Sequence, residues 1–177
     1  PIAMDAFSGD ELGRVGVQSA EDVLRLMPNA GTLPQGGSKQ NFFIRGVGTA
    51  DFHLNVVGAV GAYLDDSALN SPFAISFSTF DMERVEVLRG PQNTLFGRNT
   101  TGGAVNYISR RPDPNAGTNG YIKAGIGRFS QFDIEGGLGF AVSETAAFRV
   151  SATSNTRDGV FKNMTLGQDV GETDRMA

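Results

Sequence analysis

The hydrophobic pattern of the chain changes character near residue 112. Before that point short periods of two kinds alternate. "IAMDAF" (2–7) alternates in the strand manner, and Ser8 with Glu11 three residues on has capping-box spacing, which predicts a helix over 9–14. "SAEDVLRLMP" repeats the device: Ser19 caps, Asp22 answers it, Val23, Leu24, Leu26 and Met27 supply an apolar face, and Pro28 ends the helix. Strand-like runs follow at 40–48 ("QNFFIRGVG"), 58–66 ("GAVGAYLDD"), 82–90 ("MERVEVLRG") and 103–112 ("GAVNYISRRP"). Strands and helices mix without a βαβ rhythm, which predicts an α+β domain over 1–112. The turn-rich "PDPNAGTNG" marks a linker over 113–120.

Beyond the linker, residues 121–177 begin with three consecutive segments of strict alternation. One face collects Ile122, Ala124, Ile126, Phe132, Ile134, Leu138, Phe140, Phe148, Val150 and Ala152. The other collects Lys123, Asp133, Glu135, Arg149, Ser151, Thr153 and Asn155. "VSET" (142–145) is a tight turn, and "TRDGVFKNMTLGQDVGETD" a long polar loop. Dyad patterning with short turns on one side and a long loop on the other predicts a β-meander or the start of an outer-membrane barrel. Alternation alone fits a soluble antiparallel sheet with one wet face equally well.

Composition narrows the chemistry. The 177 residues include 24 glycines, about twice the roughly 7% average, with 40% hydrophobic and 19% charged residues. Net charge is −4 and no basic stripe interleaves with aromatics, so a nucleic-acid partner is not expected. There is no cysteine, and His53 is the single histidine, which leaves no zinc constellation. No Gly-x-Ser-x-Gly elbow is present. "GRNTTGG" lacks the Gly-Lys-Ser/Thr ending of a phosphate loop and precedes a strand. No catalytic residue, metal site or cofactor is therefore predicted. No run reaches 18 apolar residues, so no membrane-spanning helix is predicted, which leaves a barrel open. Nor does the chain open on a signal peptide; it begins at Pro1.

Several stretches, in this order and spacing, resemble the TonB-dependent outer-membrane receptors: "EDVLRLMPN", "IRG", "YLDD", and "ERVEVLRGP" running into "LFGRNTTGGAVNYISRRP". The resemblance covers most of residues 1–112 and implies a plug domain, a small mixed β-sheet with short helices. Residues 118–177 then resemble the first antiparallel strands of the barrel. Barrels of this kind have about 22 strands, so three strands imply a piece of a longer protein. A short TonB-contact segment is expected upstream of the plug.

The resemblance also assigns sites. Arg45 with Gly46, and Arg89 with Gly90 and Pro91, match plug positions that dock on glutamates of the barrel wall. Arginine suits that role because its fork is always charged and grips carboxylates in pairs. Breaking a buried pair of this kind costs about 3–5 kcal/mol, enough to lock the plug until a force acts. Gly46, Gly90, Gly97, Gly102 and Gly103 are expected to take unusual backbone angles. The alternative is pairing of Arg45 and Arg89 with Glu83, Glu86 or Asp65 inside the plug. Ligand-facing apices are expected at 34–40, 49–55 and 68–77, with Gln35, Lys39, Phe52, His53, Asn70, Phe73 and Phe77 as candidates. For Phe73 and Phe77 the competing expectation is packing beneath the loop, and for His53 an exposed loop position. Asp65-Asp66 is expected to be a strand-ending turn, although many members of the family resembled carry Asp-Gly there.

The implied function is ligand-gated import across the outer membrane of a Gram-negative bacterium, without catalysis. The implied partners are TonB, the chain's own barrel, outer-membrane lipid and a small ligand such as a ferric siderophore. A soluble periplasmic or secreted binding module is the alternative.

Overall fold

The computed structural model describes residues 3–34, 40–51, 53, 56, 58–159, 161–162, 169–171 and 173–176. The chain divides into two compact units, 1–110 and 111–177. In chain order the first unit contains β1 (Ala3–Ser8), α1 (Gly9–Arg14), α2 (Ala20–Arg25), β2 (Ala30–Pro34), β3 (Gln40–Ile44), β4 (Val60–Leu64), β5 (Ser67–Ala68), β6 (Met82–Arg89), α3 (Asn93–Phe96) and β7 (Gly103–Ser109). A five-stranded sheet runs β1-β6-β7-β4-β5, and β2 with β3 forms a separate antiparallel pair. β4 lies parallel to β7; the other pairings of the five-stranded sheet are antiparallel. The sheet is thus mixed, as the resemblance implied.

Both capping boxes form. The Ser8 N–H donates to Glu11 Oε2 at 2.9 Å and the Glu11 N–H to Ser8 Oγ at 3.3 Å. The Ser8 N–H and the Ser8 hydroxyl, both donating to the carboxylate, hold Glu11 below its usual range, the backbone bond being the larger cause. At α2 the Ser19 N–H and hydroxyl both donate to Asp22 Oδ2, at 3.1 and 2.7 Å. Helices this short are marginal alone and depend on what they bury. Leu12, Val23, Leu24 and Met27 enter one core with Val85, Val87 and Val105 of the sheet, while Leu26 is exposed, outside the predicted apolar face. Tyr107 lies in the same core with no exposed surface, and its hydroxyl donates to the Ala20 carbonyl at 2.6 Å. On the other side of the sheet Tyr63, Leu88 and Ala104 form a smaller cluster, with Phe96 packed against it.

The second unit opens with a 3₁₀ turn at Pro114–Ala116, where Asp113 accepts from the Asn115 N–H at 2.8 Å. Then come β8 (Asn119–Ile126), β9 (Phe132–Ser143), β10 (Ala146–Arg157), the two-residue strands β11 (Phe161–Lys162) and β12 (Asp169–Val170), and β13 (Thr173–Met176). β8, β9 and β10 are the three segments predicted by alternation, and Glu144-Thr145 is the tight turn between the last two. The long polar loop is more ordered than predicted. β11 pairs with β12, and β13 returns to the free side of β10, giving the order β13-β10-β9-β8.

Candidate docking and ligand-facing site

Ile44 and Val47 close a two-residue turn around Arg45-Gly46, with reciprocal backbone bonds of 3.0 and 2.9 Å. Arg45 has φ 53° and Gly46 φ 77°, the doubly left-handed geometry of a type I′ turn. Glycine adopts it freely, but for arginine the left-handed region costs about 1–2 kcal/mol. The Arg45 N–H is tied to the Asn29 carbonyl at 2.6 Å, which fixes the turn from behind. The side chain stands exposed, and its guanidinium has no ion-pair partner among the described residues. A strained, exposed arginine at a turn tip is an outlier of the kind that accompanies function. The strand predicted over 40–48 therefore stops at Ile44, where this turn begins.

Arg89 ends β6 and forms an ion pair with Asp5 of β1. That pairing is intradomain, but with none of the carboxylates considered from sequence. Glu83 and Glu86 both bind Arg84, and Asp65 accepts from the Ser109 N–H and hydroxyl at 2.9 and 2.7 Å. Past Arg89 the polar link folds into a compact loop. Gly90 N–H donates to the Gly102 carbonyl at 3.0 Å and Gln92 N–H to the Thr100 carbonyl at 2.9 Å, which closes its neck. Inside, the buried Thr100 hydroxyl donates to the Gly97 carbonyl at 2.8 Å, and the Tyr63 hydroxyl to the Phe96 carbonyl at 2.6 Å. At Gly103 a Cβ would lie 2.4 Å from the Leu88 carbonyl oxygen, so β7 can begin there only without a side chain. Gly102 serves space rather than angle: its φ is not left-handed, and a Cβ would press on Val47. Pro91 is exposed at the loop's entrance.

The ligand-facing candidates separate. Phe73 is 46% exposed and Asn70 is exposed on the same 68–77 segment. Phe77 turns inward and meets the Tyr107 ring edge-on at 5.0 Å between centroids, packing on the core. His53 is exposed and lies 2.5 Å from Asp51 Oδ1. Gln35, Lys39 and Phe52 lie outside the described residues. Asp65-Asp66 adopts the same doubly left-handed turn as Arg45-Gly46, with φ of 48° and 64°, despite having no glycine. The buried Asn106 amide compensates by donating to Asp66 Oδ1 at 2.7 Å.

In the second unit the register sets Ile122, Ala124 and Ile126 beside Ile134 and Phe132, and Leu138 and Phe140 beside Val150 and Phe148. These side chains form one apolar face that is open to solvent; Ile126 is 89% exposed. The polar face is internally bonded. Tyr121 donates to Glu135, Lys123 lies 3.7 Å from the same carboxylate, Gln131 and Asn155 both donate to Asp133, and Arg149 donates to Asn119 at 3.1 Å.

Residues 1–104 match the family model described as the TonB-dependent Receptor Plug Domain. The pesticin receptors of Yersinia enterocolitica and Yersinia pestis are 28% identical over 170 residues, 95% of this chain and 24% of their own length. The chain thus spans about a quarter of the length of the curated relatives it matches. Among solved structures, the ferric yersiniabactin uptake receptor from Yersinia pestis aligns over 99% of this chain and 27% of its own, with a TM-score of 0.88 and 26% identity. The ferric-catecholate import receptor of E. coli K12 shares the fold at a TM-score of 0.69 and 22% identity, over 92% of this chain and 22% of its own.

Proposed function

We propose a function from one premise: the chain belongs to the TonB-dependent receptor family, its plug domain matching at residues 1–104. The chain is the plug and barrel start of an outer-membrane receptor that imports a scarce ligand with energy delivered through TonB. It catalyses no reaction, and the plug gates the lumen. The observation that carries this reading is the bare apolar face of β8–β10 beside a hydrogen-bonded polar face. At about 3.3 Å per residue and a tilt near 40°, the apolar stripe from Phe132 to Val142 on β9 rises about 25 Å, the height of the lipid-facing band of such barrels. A soluble sheet of this composition would cover that face, so lipid is its partner and the polar face lines the lumen.

Arg45 and Arg89, with Gly46, Gly90 and Pro91 shaping their turns, dock the plug on carboxylates of the barrel wall. Support comes from Arg45, exposed at its strained tip and without an ion-pair partner among the described residues. The ligand is a ferric siderophore; the relative at 26% identity is named for uptake of ferric yersiniabactin. On the plug, Asn70 and Phe73 face that ligand, with Gln35, Lys39, Phe52 and His53 as further apex candidates. Phe77, which packs on Tyr107, is assigned to the core. The intact receptor, expressed in a strain stripped of its own siderophore receptors, should restore growth on a ferric siderophore only when TonB is present. Growth without TonB, or no uptake of any ferric siderophore in a panel, would sink the reading. Phe73→Ala should weaken ligand binding several-fold and leave the plug folded.

A further inference from the structure

Of the two docking arginines, Arg45 has no carboxylate beside it among the described residues, while Arg89 is already engaged by Asp5. The difference follows from register. β1 runs antiparallel to β6 with Ala3 opposite Arg89 and Asp5 opposite Val87, so Asp5 is one cross-strand diagonal from Arg89 on the same face. Asp5 is also the only charged residue of β1, which among the described residues is an edge strand paired with β6 alone. The grip is incomplete. Asp5 takes Nη2 of Arg89, while Nε is buried with no acceptor among the described residues. A guanidinium binds a carboxylate best through two parallel N–H groups, and a buried N–H without an acceptor is unfavourable. The pair seen here therefore leaves Arg89 with an unmet donor that a second carboxylate would satisfy.

We propose that Asp5 is a resident competitor for Arg89, handing the guanidinium back and forth with the wall carboxylate that the docking reading assigns to it. The inference rests on that reading. With the plug docked, Arg89 turns outward, its Nε finds an acceptor, and β1 loses its charge contact with β6. As the plug leaves the wall, Arg89 falls back onto Asp5 and is never left as a bare cation beside the sheet. Asp5 thus eases release, because the departing charge has a carboxylate waiting for it.

The test uses the intact receptor in outer-membrane vesicles, with plug release read as the rate of protease cleavage within the plug in urea. Asp5→Asn keeps the shape and removes the charge. It should slow release about two- to five-fold, the size expected of a partly exposed ion pair, and should have no effect in an Arg89→Gln background. Asp5→Thr, which favours the strand, should slow release in the same way if Asp5→Asn disturbs β1. If Arg89→Gln speeds release while both Asp5 variants speed it or leave it unchanged, Asp5 merely fastens the edge strand; this inference falls and docking stands. If Arg89→Gln itself leaves release unchanged, the docking reading fails and takes the competitor with it.

Discussion

Val85, Val87 and Val105 of the five-stranded sheet are fully buried beneath the side chains of α1 and α2, whereas Phe148, Val150 and Ile122 of the four-stranded sheet are each more than half exposed. Val85 and Val87 alternate with Arg84 and Glu86 as Phe148 and Val150 do with Arg149 and Ser151, so alternation reports only that a face is apolar. Its cover has to be read elsewhere. In the first unit the cover is written into the same sequence, as two capped six-residue helices with apolar positions at helical spacing. Among the described residues of the second unit there is none. Its polar side chains instead bind one another, from Tyr121–Glu135 to Asn155–Asp133.

The contrast breaks most readily at α2. Leu24 has no exposed surface, so Leu24→Ala should destabilise the first unit by about 2–5 kcal/mol through lost burial and the cavity left behind. Val150→Ala, on the open face, should change stability in water by less than about 0.5 kcal/mol. Urea unfolding followed separately on each unit checks both, and equal costs would mean that the two faces are covered alike.

In a bilayer the order should reverse. Val150 stands near the middle of the apolar stripe, opposite Leu138. Val150→Arg should cost about 2–4 kcal/mol when the intact receptor folds into lipid vesicles. Ser151→Arg, one residue away on the polar face, should be tolerated. The same penalty at both positions would remove the distinction between a lipid face and a lumen face.

Tyr107 tests how dry the covered side is. Its hydroxyl is pushed well above the ordinary 10.0, by burial first and then by the charges of Glu21 and Asp22. A raised value in the folded state means that the contribution is complete below pH 10 and is lost as pH rises further, because the unfolded chain ionises first. Stability of the first unit should therefore fall with alkali beyond about pH 10, and Tyr107→Phe should flatten that fall. At neutral pH the same substitution should cost about 0.5–1.5 kcal/mol, since the hydroxyl's hydrogen bond to the Ala20 carbonyl is lost. A wild-type stability that stays level above pH 10 would show that water reaches the ring.

What the sequence made legible, and what it hid, divides along local and non-local lines. The capping boxes at Ser8 and Ser19 and the strands of the second unit are local signals, and they were readable. β2 was not: "AGTLP" has neither alternation nor β-branched density, and it is a strand because β3 lies beside it. The strands within the long loop escaped for the same reason. Among the site residues, the sequence motifs pointed to Arg45 and Arg89 through a family likeness, but not to their different situations. Asp5 meets Arg89 across 84 residues, through a register that no local pattern encodes. Phe73 and Phe77 sit four residues apart in one polar segment, and only the position of Tyr107 separates the exposed ring from the one packed on the core.

The smallest expected effect compares tight turns of the two units. Arg45-Gly46 in the first unit and Phe129-Ser130 in the second, with φ of 60° and 52°, both place non-glycine residues in left-handed backbone. If the strain is only a matter of turn chemistry, relieving it should help equally in both places. Arg45→Asn and Ser130→Gly should each raise stability by about 0.5–1 kcal/mol, since asparagine and glycine accept that geometry more readily. The functional consequences should differ. Ser130→Gly should leave plug retention unchanged, whereas Arg45→Asn should loosen the plug in the intact receptor even as it stabilises the fold. A residue whose replacement improves the fold and weakens its attachment is one retained for the attachment. If Arg45→Asn stabilises the unit and retention is unaltered, the arginine at that tip does not dock, and Arg89 would have to hold the plug without it.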